Sequence, residues 1–158
     1  ERNRIETGEE GEFPFVLGSL FHELVHLFNF AKPEASQDFW SGELFAQYHA
    51  DRLQSLGLEH RERYRKLLRS PGGRLDWSWI RLLDEHFGEL PEREQQQLLE
   101  LGLSVYYFLE DELGTEKTLC FQRAHLDPAR RSDKAVWKDC FGRSVTELQA
   151  GWRKYYGL

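Results

Sequence analysis

The stretch SLFHELVHLFNF, residues 19–30, sets His22, Glu23 and His26 among leucines and phenylalanines. Imidazole nitrogens bind divalent cations such as zinc, and a carboxylate can take a proton from water. On a helix, residues four apart share a face, so His22 and His26 can both reach one ion at about 2.0–2.1 Å. Glu23 lies about 100° around the helix, near enough to hold a water at that ion. The H-E-x-x-H spacing thus offers two zinc ligands and a general base from little more than one turn. Zinc lowers the pKa of water towards about 7, and Glu23 would take the proton as the water attacks a carbonyl. The plainer alternative is a buried helix with a satisfied polar cluster. Burying two histidines and a glutamate without partners is expensive, and an ion would satisfy them.

A catalytic zinc needs a third protein ligand and one open position. A third histidine six residues after the second is not available, because Lys32 stands there. The segment DFWSGELFAQYHADRL, residues 38–53, offers Glu43 on a following helix, flanked by Trp40, Leu44 and Phe45. A carboxylate in so apolar a setting, antiparallel to the histidine pair, reads best as a ligand. Glu34 and Asp38 fall in the connection or at the helix cap, and His49 lies on another face of the helix. Gln47, one turn after Glu43, could accept the remaining N–H of a ligand histidine or be an ordinary surface amide.

These groups must be positioned by helices, since no alternating strand pattern, internal repeat or low-complexity tract interrupts the chain. Residues 1–12 are charged and read as a flexible lead-in, leaving 13–158 as a single domain. A first helix over about 15–30 is apolar on nearly all sides and is expected to be central and buried. Ser36 or Asp38 can cap a second helix to about 56, before Gly57. A basic helix covers about 59–69, SPGG (70–73) breaks the chain, and Asp76 can cap a helix to Phe87. Pro91 suits the first turn of a long helix ending at Leu113, with Gly114 as its stop. Thr115 would cap a helix to about His125, followed by the loop DPARRSD (127–133). Ser132 would cap DKAVWKDCF, stopped by Gly142. Ser144 and Glu147 form a capping box for a last helix ending near Gly157. The expected fold class is all-α, a bundle of seven or eight helices around one core.

At 158 residues, 40% hydrophobic and 14% aromatic, the chain has material for a real core. Its net charge is -6, and no basic stripe of the kind that binds nucleic acid is present. The one basic run, HRERYRKLLR (60–69), contains Glu62 and reads as a solvated helix face. The longest apolar run, FPFVLGSLF (13–21), is too short for a membrane span and holds Pro14 and Gly18. The chain begins with Glu and contains no Met, so we expect a processed product or excised domain. The compartment stays open, with a secreted or cell-envelope setting favoured. Cys120 and Cys140 could form one bridge between neighbouring helices or remain buried thiols.

H-E-x-x-H followed by a helix carrying W-x-x-E-x-x-A-x-Y resembles the gluzincin metallopeptidases of the peptidase MA-like group. In aminopeptidase N-type and glycyl aminopeptidase-type members the second segment reads like W-L-x-E-G-x-A-x-Y. Trp40, Glu43, Ala46 and Tyr48 stand in that register here, with Leu44 in place of the usual Gly. VYYFLEDELG (105–114) and VWKDCFGRSVTELQAGWRKYYG (136–157) look like the closing helices of such domains. The resemblance spans about 18–157. It implies a zincin-type catalytic helix pair, Zn2+ on His22, His26 and Glu43, Glu23 as general base, and a peptide or protein substrate.

The chain departs from that pattern twice. The family's oxyanion-stabilising Tyr or His falls at Leu99, which cannot donate. Tyr106 and Tyr107 read as core residues, Tyr48 and His49 are weaker substitutes, and the oxyanion donor is unassigned. The family also has a sheet before the zinc helix, whose edge strand pairs with substrate. Only about a dozen residues, seven of them charged, precede that helix here, so the sheet is either missing from this chain, along with an upstream domain, or dispensed with. The expectation from a different class is a catalytically silent zincin-like domain that binds zinc and acts as a binding or regulatory module.

Overall fold

The computed structural model describes residues 12–30, 40–53, 60–69, 89–125, 127, 129 and 135–158. They form seven α-helices and one π-helical turn, with no strand among the described residues. The protein is all-α, as its periodicity predicts. In chain order the elements are α1 (Glu12–Phe30), a π turn (Trp40–Leu44) running into α2 (Phe45–Leu53), and α3 (His60–Leu68). Then come α4 (Glu92–Leu113), α5 (Thr115–His125), α6 (Ala135–Phe141) and α7 (Val145–Tyr156). No described helix is long and apolar enough to cross a membrane. The caps proposed at Ser36, Asp38, Asp76 and Ser132, the SPGG break and the helix over 76–87 lie outside the described residues.

The central helix is α4, and this corrects the expectation placed on α1. Every residue from Leu101 to Leu109 is buried. The polar EREQQQ start of α4 gives way to LGLSVYYFL, apolar around the full circumference, and α2, α3, α5, α7 and the π turn pack against α4. α1 packs chiefly on α2. Leu20 (52% exposed), Leu24 (36%) and Leu27 (64%) therefore face outward. Apolarity on all sides is shared by both helices, and only the packing of their partners separates them. α1 also starts at Glu12, earlier than expected. Pro14 then sits in the first turn, where its missing N–H costs no helical bond.

The helix ends are mostly where turn chemistry puts them. Gly114 (φ 92°) closes α4 and Gly142 (φ 70°) follows α6, both in backbone that side chains other than glycine's rarely adopt. Ser144 accepts from the Glu147 N–H and Glu147 accepts from the Ser144 N–H at 2.7 Å, completing the capping box. Thr115 behaves differently from the expectation. It is already the first residue of α5, and its hydroxyl donates to Glu110. The Gly114 carbonyl takes the first helical bond, from Thr118.

α7 docks on the middle of α4. Trp152 is 1% exposed, and its indole N–H donates to the Ser104 hydroxyl at 3.1 Å. Tyr156 donates to the Ser104 carbonyl. α3 buries His60, Tyr64 and Leu68, one face at four-residue spacing. Its basic side is not merely solvated. Arg61 and Arg69 donate to the Tyr155 and Gly157 carbonyls at the end of α7, where cations oppose the helix dipole. Arg63 pairs with Glu100 of α4 at 2.8 Å. Cys120 of α5 and Cys140 of α6 form a disulfide, which settles the choice between bridge and thiols.

Candidate metal centre

α1 and α2 bring His22, His26 and Glu43 together. The two Nε2 atoms are 3.0 Å apart, and their rings meet edge to face at 4.7 Å between centroids. Glu43 offers one oxygen to each ring, 3.4 Å to His22 and 3.3 Å to His26. The two Glu43 distances run to different carboxylate oxygens; with one donor atom taken from each residue, the three atoms lie within 4.8 Å of one another, near enough to share one cation. Both histidine side chains are mostly enclosed, at 18% and 12% exposure, while Glu43 is 53% exposed. The cluster is walled on the protein side and open on the other.

The electrostatics couple the three groups. Its hydrogen bond to Glu43 raises the His22 pKa above the ordinary imidazole value, against the opposing effect of burial. The Glu23 charge adds to that rise. The reciprocal bond from His22 lowers the Glu43 pKa. Protons and a cation compete for the same nitrogens, which is how a ligand set behaves. Glu23 is exposed, on the residue next to His22 and outside the cluster.

The local chain conformation explains how Glu43 gets there. Instead of a regular α-helix from the cap onward, residues 40–44 form a π turn. A π turn takes in one residue more than an α turn, so the side chains before Leu44 are offset from the register of α2. Leu44, immediately after Glu43, is fully buried. It lies where a Cβ on Gly102 of α4 would be, only 2.5 Å from that point. The missing side chain at Gly102 is the slot that holds Leu44. The leucine found where the resembled family has glycine is thus matched by a glycine on the helix it packs against.

Gln47, expected as an outer partner, favours the charged form of His22 through a side-chain hydrogen bond. The buried His22 Nδ1 itself has no hydrogen-bond partner. The Gln47 amide donates to Asp51 at 2.8 Å. Asp51 is buried at 6% exposure and was missed in the sequence. Its spacing gives the available signal: Asp51 stands one turn after Gln47 on α2. Glu34 and Asp38, the rival ligands, lie outside the described residues. His49 is not part of the cluster. It packs edge-on against Phe45, and burial lowers its pKa.

The weak substitutes for an oxyanion donor are occupied or enclosed. Tyr48 donates to Glu110 of α4. Tyr106 and Tyr107 are buried in the core. Leu99 packs against the same core. Comparison with protein-family models, curated proteins and solved structures finds no match to this chain.

Proposed function

We propose that this chain is a zinc-dependent metallopeptidase domain of gluzincin type, with His22, His26 and Glu43 holding the ion and Glu23 as general base. One observation carries the reading: three donor side chains, from α1 and the π turn, converge so that one ligand atom of each lies within 4.8 Å of the others. A zinc ion held there supplies a Lewis acid that polarises a peptide carbonyl and makes water acidic near neutral pH. The rest is the work of this chain. Glu23 takes the water's proton on a carboxylate oxygen and delivers it to the departing amide nitrogen. Its exposure leaves that oxygen accessible to a substrate. Gln47 is the candidate to accept the N–H of His22 that faces away from the ion. The substrate is a peptide or protein.

A second reading has its own support. Leu99 cannot donate to an oxyanion, and Tyr48 is engaged with Glu110. On that reading the domain binds zinc and is catalytically silent, serving as a binding or regulatory module. Glu23→Gln separates the two. It keeps the side chain's shape and hydrogen-bonding reach but cannot accept a proton. Zinc content and helicity stay at wild-type values. Hydrolysis of an unfolded protein substrate falls by about 10²–10⁴-fold. Equal hydrolysis by the active wild type and the variant removes Glu23 from the mechanism. A wild type that holds zinc but does not hydrolyse the substrate establishes the silent reading.

A further inference from the structure

A cavity of about 670 Å³ opens between α3 and the end of α7, on elements that give the metal centre no donor. Arg61, Arg63, Arg65 and Lys66 of α3 and Lys154 of α7 line it, against one carboxylate, Glu62. The chain as a whole carries a net charge of -6, so the sign of the surface reverses here. Concave walls of one charge concentrate the field inside them. The volume falls within the range of about 300–1,000 Å³ common to small-ligand sites.

The packing of α3 gathers these cations. Its buried face is His60, Tyr64 and Leu68, which leaves Arg61 and Arg65 one position further round, four residues apart on the side towards α7. Two of the cations are fixed by contacts of their own. Arg61 donates to the Tyr155 carbonyl through Nε and Nη2, at 3.3 and 3.1 Å, and its guanidinium lies over the Tyr155 ring at 4.3 Å. Arg63 is held by Glu100 at 2.8 Å. The other three are left unneutralised. Arg65 approaches Glu62 only at 3.8 Å, with both side chains about half exposed, and such a pair contributes little in water. Lys66 and Lys154 have no ion-pair partner among the described residues. Like charges facing one cavity repel, and an anion between them relieves that repulsion.

The walls also select the anion. The aromatic ring at the cavity, Tyr155, is covered by Arg61, and its hydroxyl donates to Asp111, so it offers no stacking platform of the kind that holds a nucleotide base. An extended acidic peptide would spread its charges along a line, whereas these cations converge from two helices. Guanidinium and ammonium groups that converge in this way match phosphate oxygens, which accept hydrogen bonds from several directions. We propose that the α3–α7 cavity is a binding site for a compact, multiply phosphorylated group, held by Arg65, Lys66 and Lys154 within a frame set by Arg61 and Arg63. This inference stands apart from the zinc reading.

Isothermal titration of the full chain with inorganic tripolyphosphate reads the affinity, and the wild type is expected to bind it at one site. Lys66 and Lys154 are both exposed, so Lys66→Ala with Lys154→Ala leaves the core intact; the pair weakens binding by about tenfold or more. Arg93→Ala with Lys117→Ala removes the same charge at exposed positions outside the cavity and leaves the affinity at the wild-type value. Raising salt from about 0.1 M to about 1 M, which shortens screening from about 10 Å to about 3 Å, abolishes most of the binding. His26→Ala, which lacks the proposed ion for the probe to capture, binds as the wild type does. A wild type that does not bind the probe overturns the proposal, as does an equal loss in the two charge-matched pairs or the loss of binding in His26→Ala. Once binding is seen, cosedimentation with phosphatidylcholine vesicles carrying a phosphatidylinositol bisphosphate, and not with plain ones, places the phosphates on a lipid headgroup. No cosedimentation with either places them on a soluble molecule.

Discussion

Two imidazole nitrogens 3.0 Å apart can share at most one proton between them; with two, donor would face donor. Glu43 answers part of that demand from the open side, and a cation at the common point would answer all of it. His26→Ala should therefore reduce the zinc content of the purified protein from about one ion per chain to none. The same variant removes the ligand's effect on stability. Zinc at 100 times its dissociation constant stabilises the wild type by about 2.7 kcal/mol and leaves the variant's melting curve unmoved. Full zinc stoichiometry in His26→Ala would refute the ligand set. The histidine pair was legible in the sequence because both residues sit on one helix, where spacing alone fixes direction. Glu43 required a guess about how two helices meet, and its apolar neighbours Leu44 and Phe45 carried that guess. Asp51 was not legible. Next to Arg52 it reads as an ordinary surface acid, and only the packing of α2 against α4 encloses it.

At the scale of elements, the fit between Leu44 and Gly102 aims Glu43. Leu44 fills the space left by the missing side chain, and both belong to segments buried against each other. A methyl group added at Gly102 would lie 2.5 Å from a Leu44 terminal carbon. Leu44 cannot give way outward without dragging the π turn and Glu43 with it. Gly102→Ala is accordingly expected to cost about 1–3 kcal/mol, as overpacking does, despite alanine's better helix propensity. It should also weaken zinc binding, read by competition with a chromophoric zinc chelator. A variant as stable as the wild type, with unchanged zinc affinity, would show that Leu44 is not held by this slot. Helix ends were the most legible feature at this scale. Gly114, Gly142 and the Ser144–Glu147 box act locally, and local chemistry is what a sequence displays. The π turn is different. It depends on Leu44 finding Gly102, 58 residues further on, and nothing around WSGEL announces it. The central position of α4 was hidden for a related reason. Two stretches are apolar all round, and the sequence pattern does not say which the other helices surround.

For the whole molecule, the arrangement is a bundle closed around α4, with α1 laid on one side against α2 and its outer leucines exposed. Leu20 and Leu27 stand three residues before and four after Glu23, so the exposed apolar row and the proposed base share one side of α1. On the far part of the bundle, α5 and α6 are joined by Cys120–Cys140, across 20 residues of sequence. α5 packs on α4, α6 and the π turn, so the bridge braces the wall behind Glu43. Closing a loop of this length stabilises by about 3 kcal/mol in the chain-entropy account, because the unfolded chain loses freedom. Urea unfolding with and without a reductant should differ by about that amount, with the reduced form melting earlier. The donors of the metal centre lie on α1 and the π turn, so the reduced protein should still bind about one zinc while folded. Two thiols should react with an alkylating agent only after reduction. Alkylation of both cysteines in the untreated native protein would mean that the two helices pack without the bridge. The 3 kcal/mol would then have to come from elsewhere in the α5–α6 contact, where Phe121, Trp137 and Phe141 already stack at 4.3–5.9 Å between ring centres.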